Sequence, residues 1–250
     1  MVDKNNIEFF SRSHKGKVKR NNQDYLSIDS ELCFAAIADG VGGKVFGEVA
    51  SQAAVESSME YICNIKPDLL SSIGSKEIAN AIKVANETII TIQKNETKYE
   101  DMSSTLSCFL IKHNKLHLAW VGDSRIYLLR PIENSIQMLT TDHTLDQSKI
   151  DPTLAPALFK RAPSILTQVV GSILLLKPDH NSNDVRQGDI ILACTDGLSN
   201  LVPDALILEY CLQQGYTNAD ELNAFADKLL DRALDCGGHD NISLILAKIN

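Results

Sequence analysis

Apolar residues gather in short runs along the chain, separated by polar or glycine-containing turns. Runs of this length and spacing are typical of β-strands. The pattern predicts strands over residues 7–10, 25–28, 32–38, 105–112, 116–121, 125–129, 189–194 and 242–249. The dipeptide Asn114-Lys115 is expected to form the turn of a hairpin.

Two pairs of predicted helices interrupt the strands, 47–63 with 76–94 and 204–214 with 219–234. In the second helix, apolar residues such as Ile78, Ile82 and Ile89 recur at helical spacing, which gives one apolar face for a core. The order is strands, two helices, strands, two helices and a final strand. That order argues against an alternating βαβ sheet and predicts an α+β layered sandwich.

The chain of 250 residues contains no internal repeat and no long linker, so we expect residues 1–250 to form a single domain. Its composition, 44% hydrophobic and 22% charged, is that of a globular protein that can build a core without disulfides or structural zinc. Residues 146–164, with three prolines, have the weakest pattern and are expected to form a surface excursion near the site.

Charge, apolar run length and cysteine spacing indicate in which compartment, and with which partners, the protein is expected to act. A net charge of -8 disfavours non-specific binding to nucleic acid or to an anionic membrane. The N-terminal residues lack the apolar stretch of a signal peptide, and no apolar run approaches the roughly 20 residues of a membrane helix. The six cysteines form no Cys-x-x-Cys pair and are expected to be reduced. These features predict a cytoplasmic protein without nucleic-acid or membrane partners.

Four aspartates stand at the ends of predicted strands. Asp39, Asp123 and Asp196 each follow an apolar run, and Asp240 precedes the last one. In antiparallel sheets, the ends of outgoing strands and the starts of returning strands share an edge, so we expect these carboxylates to converge. The alternative is that the two Asp-Gly pairs are simple hairpin turns. A predicted helix, not a second strand, follows each pair, which disfavours that alternative.

Carboxylates gathered at one edge repel one another unless a cation neutralises them. A site built from oxygen ligands suits Mg²⁺ or Mn²⁺ better than zinc or copper. Two such ions can share one water, lower its pKa and direct it at phosphorus. The sequence therefore indicates metal-dependent hydrolysis of a phosphate ester.

Eight segments, in order along the chain, resemble the motifs of the metal-dependent type 2C Ser/Thr protein phosphatases in their compact bacterial form. They are residues 16–24, 39–43, 102–105, 122–125, 141–143, 165–171, 195–198 and 240–241. The first is similar to the family's opening G-x-V-R-x-x-N-Q-D, and the second to D-G-x-G-G. The resemblance implies a four-layer α-β-β-α sandwich, with two mainly antiparallel sheets between helix pairs.

The resemblance also implies a site for two Mn²⁺ or Mg²⁺ ions, with a weaker third. Asp39 would bridge the two ions, and the Gly40 carbonyl would bind one of them. Asp196 and Asp240 would complete the other ion's ligands. Asp123 would share the third ion with Asp196.

The remaining site residues include two departures from the family pattern. Asp24 would hold a metal-bound water. The family's phosphate-binding arginine is Lys19 here, with Arg20 beside it, and both stay candidates because lysine supplies charge without a bidentate fork. Val41 stands where many eukaryotic members carry a histidine proposed as general acid, so that role either passes to metal-bound water or stays unassigned. His143 is expected to hydrogen-bond a loop.

The resemblance implies a protein serine/threonine phosphatase that uses a metal-activated water. Its expected partners are phosphorylated proteins and an opposing Ser/Thr kinase, and its expected state is a monomer. Two alternatives stay open: a catalytically silent relative acting as a binding or regulatory module, and a phosphatase of small metabolites. The intact Asp39, Asp196 and Asp240 argue against a silent site, whereas Lys19 argues weakly for one.

Overall fold

The computed structural model describes residues 7–41, 46–65 and 73–250. Its strands are β1 Ile7–His14, β2 Asp24–Asp29, β3 Phe34–Asp39, β4 Leu106–Lys112, β5 Lys115–Val121, β6 Arg125–Arg130, β7 Ser135–Met138, β8 Asp179–Asp184, β9 Ile190–Cys194 and β10 Ile242–Ile249. Its α-helices are α1 Gly47–Cys63, α2 Ser75–Asn95, α3 Pro156–Arg161, α4 Asp196–Ser199, α5 Asp204–Gln214 and α6 Ala219–Asp235.

The strands form two antiparallel sheets of five. The first sheet has the order β1-β10-β9-β6-β7 and the second the order β2-β3-β4-β5-β8. Helices α1 and α2 pack on the outer face of the second sheet, and α5 and α6 pack on the outer face of the first. The predicted α+β fold and its four-layer α-β-β-α order are therefore confirmed.

Side-chain alternation along the strands produces three apolar layers. In β3, Ala36 and Ala38 face α1 and α2, whereas Ala35 and Ile37 face the other sheet. Successive residues of a strand point to opposite faces of the sheet. A strand whose residues are almost all apolar is therefore expected to be buried on both faces. Both sheets are thus held between apolar layers, and chemistry is confined to their edges.

Two strands, β7 and β8, were not predicted. The edge strand β8 has the polar sequence Asp-His-Asn-Ser-Asn-Asp, mostly exposed, and pairs with β5 through its backbone.

The predicted turn at Asn114-Lys115 was wrong by one residue. The turn is at His113-Asn114, with φ of 50° and 59°, because Lys115 already pairs with Lys112. Two central residues with positive φ match the twist of hairpin strands.

The weakly patterned residues 146–164 contain the short helix α3. Their base is closed by hydrogen bonds from Leu145 N–H to the Ile165 carbonyl and from Thr167 N–H to the His143 carbonyl, 2.8 and 2.7 Å long. Residues 42–43 of the second motif lie outside the described residues. Within the described ranges, no helix has both the length and the apolar character needed to cross a bilayer.

Candidate active site

The strand-end aspartates meet at one edge, as the sequence predicts. Asp24 opens β2 directly opposite Asp39, which closes β3. Asp196 begins α4, one residue after the end of β9, and Asp240 lies just before β10. Asp39, Asp196 and Asp240 line one cleft of about 200 Å³, together with Asp123 from the turn after β5. The two sheets therefore bring carboxylates from five chain segments to one place.

The backbone around Asp39 is held firmly. Its N–H donates to Thr105 Oγ1 at 2.9 Å, and its carbonyl accepts from the Thr105 N–H and the Ser104 hydroxyl, both at 2.8 Å. The next residue, Gly40, packs so closely on the start of α1 that a Cβ would lie 2.3 Å from the Gly47 carbonyl oxygen. Only glycine permits this approach.

Asp24 is buried beside the cleft. Its Oδ2 accepts a hydrogen bond from Thr195 Oγ1 at 2.9 Å. Burial raises the pKa of Asp24 to about 7; hydrogen bonds from Ser243 and Thr195 oppose the shift, and the charges of Asp196 and Asp240 add to it. A buried carboxylate in this position needs either a proton or a cation.

The pKa values of three other carboxyls, those of Asp39, Asp196 and Asp123, are also raised. Burial, with the charges around it, raises the pKa of Asp39 well above its ordinary value. Burial also raises the pKa of Asp196, where the charge of Asp240 adds to the shift and a hydrogen bond with Asp39 opposes it. Burial and the charge of Asp196 raise the pKa of Asp123 to about 7. Without positive charge, the cluster would hold shared protons near neutral pH.

The donor set fits hard divalent cations. Oδ1 of Asp24 and Oδ1 of Asp196 are buried and have no hydrogen-bond partner among the described residues, which is costly unless a cation or a cation-bound water meets them. Within the described ranges, no three His, Cys, Asp or Glu side chains already form a metal-binding group. Asp240 is instead held by Lys19 Nζ, 2.7 Å from its Oδ1. All side-chain donors are carboxylate oxygens, the chemistry that Mg²⁺ and Mn²⁺ prefer.

The two candidate phosphate-binding residues differ in position. Lys19 lines the cleft, whereas Arg20 is exposed and does not line it. Partial burial acts to lower the pKa of Lys19, but the hydrogen bond and charge of Asp240, with the nearby Asp39, raise it on balance. Lys19 therefore stays charged beside the carboxylates.

Sequence reasoning assigned no role to Thr195 or Asn241, although both lie in recognised motifs. Asn241 is buried, and its Oδ1 accepts from the Gln23 N–H at 2.9 Å. Its Nδ2 donates to the carbonyls of Lys15 and Asn21, both at 2.9 Å. It thus ties the segment that carries Lys19 to the start of β10. The available signal was a neutral polar residue directly before a mostly apolar strand, because a polar side chain buried there must find partners.

The loop that carries Asp123 is fastened by His143. The His143 N–H donates to the Gly122 carbonyl at 3.0 Å, and its Nδ1 accepts from the Gly122 N–H at 3.2 Å. This confirms that His143 hydrogen-bonds a loop. Ser164, the last residue of the excursion, and Leu166 just beyond it line the cleft. The excursion is therefore next to the site, as predicted.

The raised pKa values predict how stability depends on pH in protein treated with EDTA. Such a carboxyl has a pKa of about 7 in the folded protein and about 3.8 in the unfolded chain. The stability that it contributes is fully present below pH 4 and is lost as the pH rises through 7. Each such group is worth up to about 4 kcal/mol. The melting temperature should therefore fall between pH 5.5 and 8, measured by circular dichroism.

Asp123→Asn should flatten this dependence, whereas Asp184→Asn, at an exposed position on β8, should not. A melting temperature that rises over this range in the wild type, or an equal slope in Asp123→Asn, would contradict the account.

A family model described as protein phosphatase 2C matches residues 12–246. PstP, a serine/threonine protein phosphatase of Mycobacterium tuberculosis, is 32% identical over 250 residues, which are 97% of this chain and 45% of that protein. The chain thus spans about half the length of this relative. PhpP, a protein phosphatase of Streptococcus pneumoniae, is 29% identical, with 94% of both chains covered.

Solved structures agree in fold. The crystal structure of the Mycobacterium tuberculosis PstP phosphatase superposes with a TM-score of 0.79 at 30% identity, covering 98% of this chain and 99% of that one. The PstP catalytic domain in complex with two manganese ions gives a TM-score of 0.80 at 29% identity, with 98% of both chains covered.

Proposed function

Since this chain belongs to the protein phosphatase 2C family, we propose that it is a metal-dependent protein serine/threonine phosphatase. The observation that carries the proposal is the cleft in which Asp39, Asp123, Asp196 and Asp240 meet Lys19. Such a cleft suits two divalent cations and a phosphate group at once. A catalytically silent module has no need of buried carboxylates that destabilise its own fold.

We assign the cation ligands as the family resemblance implies. Asp39 and the Gly40 carbonyl would hold one ion, and Asp39, Asp196 and Asp240 the other. Asp123 would hold a weaker third ion with Asp196. When bound, the ions would neutralise the carboxylates, withdraw charge from the phosphate oxygens and acidify the attacking water. The two manganese ions in the PstP complex support the number and kind of ions.

The chain's own residues would position the reactants. Thr195 fixes Oδ2 of Asp24, which leaves Oδ1 to orient the attacking water. Lys19 would bind a phosphate oxygen through its ammonium group, which in this structure donates a hydrogen bond to Asp240 Oδ1. Val41 lines the cleft but has no titratable group, so we assign no general acid to it.

The substrate class is tested by comparing a phosphothreonine peptide, a phosphoserine peptide and small sugar phosphates under saturating Mn²⁺. We expect kcat/KM to be highest for the two peptides. A higher value for a sugar phosphate would replace a protein substrate by a metabolite.

Lys19 and Arg20 can be separated by substitution. Lys19→Ala should lower kcat/KM for a phosphothreonine peptide by about 10- to 100-fold, the value of a hydrogen bond between charged groups. Arg20→Ala is the matched control and should change it less than about threefold. A larger loss in Arg20→Ala would transfer phosphate binding to Arg20.

We propose that the enzyme acts as a monomeric, single catalytic domain in the bacterial cytoplasm, on phosphoproteins made by an opposing Ser/Thr kinase. The relatives named above come from bacteria. The six cysteines are free, as expected in a reducing compartment. Residues 146–164 would act as a flap that borders the substrate, since Ser164 lines the cleft.

A further inference from the structure

A second surface feature lies near the cleft and is not used in the chemistry above. Three consecutive aliphatic residues, Ile173, Leu174 and Leu175, are exposed to 85, 76 and 83%. Single exposed aliphatic side chains are common, but a contiguous run marks a surface that meets something apolar. We call the loop of residues 172–175 the aliphatic loop.

The base of the aliphatic loop is fixed to α2. Asn86 Oδ1 accepts from the N–H groups of Gly171 and Ser172, at 2.8 and 3.2 Å. Gln93 Nε2 donates to the Gly171 carbonyl at 3.0 Å and to the Met102 carbonyl at 2.8 Å. These bonds hold the loop beside the end of α2. Its exposed side chains are therefore carried by a backbone that is fixed to the rest of the fold.

Between the aliphatic loop and the end of α2 runs a groove of about 660 Å³, larger than the cleft. Ile90, Ile173 and Leu174 supply apolar walls. Glu100 and Asp101 also line it, and Lys94 offsets one of these charges. The groove therefore has apolar walls, and the charged side chains that border it have a net negative charge.

The groove is close to the site. Ser104 pairs with Gly40 on one side and with Val170 on the other. Two strand spacings amount to about 10 Å, which is the length of roughly three residues of extended peptide. The groove therefore begins, next to Val170, about that far from Gly40. A peptide in the cleft can therefore extend into the groove.

We propose that this groove binds a segment of the substrate protein that carries aliphatic side chains flanked by arginine or lysine, a few residues from the phosphorylated one. The apolar walls accept the aliphatic side chains, and Glu100 and Asp101 attract the basic ones. A second copy of this chain fits poorly, because each copy carries a net charge of -8. The docking role rests on the proposed phosphatase activity.

Binding is measured without catalysis, by fluorescence polarisation of an unphosphorylated peptide with an Arg-Leu-Leu-Arg core and the full chain in EDTA. Leu174→Ser should weaken binding about tenfold, the value of one buried leucine. Ile132→Ser, at a position 78% exposed and outside the groove lining, is the matched control and should change it less than about twofold. Reversing Glu100 and Asp101 to lysine should favour a Glu-Leu-Leu-Glu core instead.

Joining the same core to a phosphothreonine peptide should lower KM in the wild type with kcat unchanged, and Leu174→Ser should remove this gain. Equal peptide affinity in Leu174→Ser and wild type, or an equal loss in Ile132→Ser, would overturn the proposal. So would a dimer in sedimentation that Leu174→Ser dissociates, because a second copy would then cover the loop. Peptide binding without phosphate release would contradict the phosphatase assignment alone, and phosphate release without peptide binding would contradict the docking site alone.

Discussion

Asp39→Asn should lower kcat/KM for a phosphothreonine peptide by at least about 10³-fold while the protein stays folded. Asp39 lies opposite Asp24 in the sheet and lines the same cleft as Asp196 and Asp240. An amide in its place lacks the negative charge that the two proposed cations would share. Phosphate release under saturating Mn²⁺ measures the loss.

The same substitution should stabilise the protein in EDTA. Removing one buried charge from the cluster adds about 1–2 kcal/mol at pH 8, or about 2–8 °C in melting temperature at this chain length. Asp184→Asn, which replaces an exposed carboxylate on β8, is the control and should leave both quantities nearly unchanged. Retained turnover in Asp39→Asn would contradict its role, and a lower melting temperature would contradict the repulsion within the cluster.

Gly197→Ala should damage both the fold and the site, although it adds only one methyl group. A Cβ at residue 197 would lie 1.8 Å from the Asn241 carbonyl oxygen and 2.9 Å from its carbon. These are backbone atoms of the segment that carries Asp240, so either this segment or the start of α4 must move. We expect a loss of about 3 kcal/mol in the free energy of unfolding, measured by urea denaturation, and a lower affinity for Mn²⁺.

Gly74→Ala is the matched control, because it makes the same chemical change where the nearest atom to the new Cβ is 3.7 Å away. Its cost should stay below about 1 kcal/mol, the preference for glycine over alanine at a helix N-cap. Equal stability of Gly197→Ala and Gly74→Ala would show that α4 and the segment before β10 are not in tight contact.

Most of the fold followed from hydrophobic pattern, because both sheets are buried and their strands are apolar. The helices α1 and α5 have the predicted bounds. Strand β8 was not predictable in this way, since its residues are polar and its pairing with β5 is made by the backbone. The hairpin turn was misplaced because positive φ at His113 depends on the register of the two strands, which pattern alone does not fix.

The convergence of the aspartates was predictable from the sequence, but the contacts among the neighbouring residues were not. The aspartates at strand ends pointed to one edge because antiparallel order brings such ends together. The pairing of Lys19 with Asp240 depends on a backbone path that only the fold specifies. The hydrogen bond from Thr195 to Asp24 and the bonds by which Asn241 holds the segment that carries Lys19 also depend on that path. The aliphatic loop was overlooked because consecutive aliphatic residues in a sequence usually indicate core.

The most direct test of the central claim is phosphate release from a phosphothreonine peptide by protein stripped with EDTA and then titrated with Mn²⁺ or Mg²⁺. We predict no turnover in EDTA, and turnover that rises with either ion in step with binding measured by calorimetry. A folded protein that binds Mn²⁺ and releases no phosphate from this peptide or from an aryl phosphate would contradict the account, and would identify the chain as a binding module.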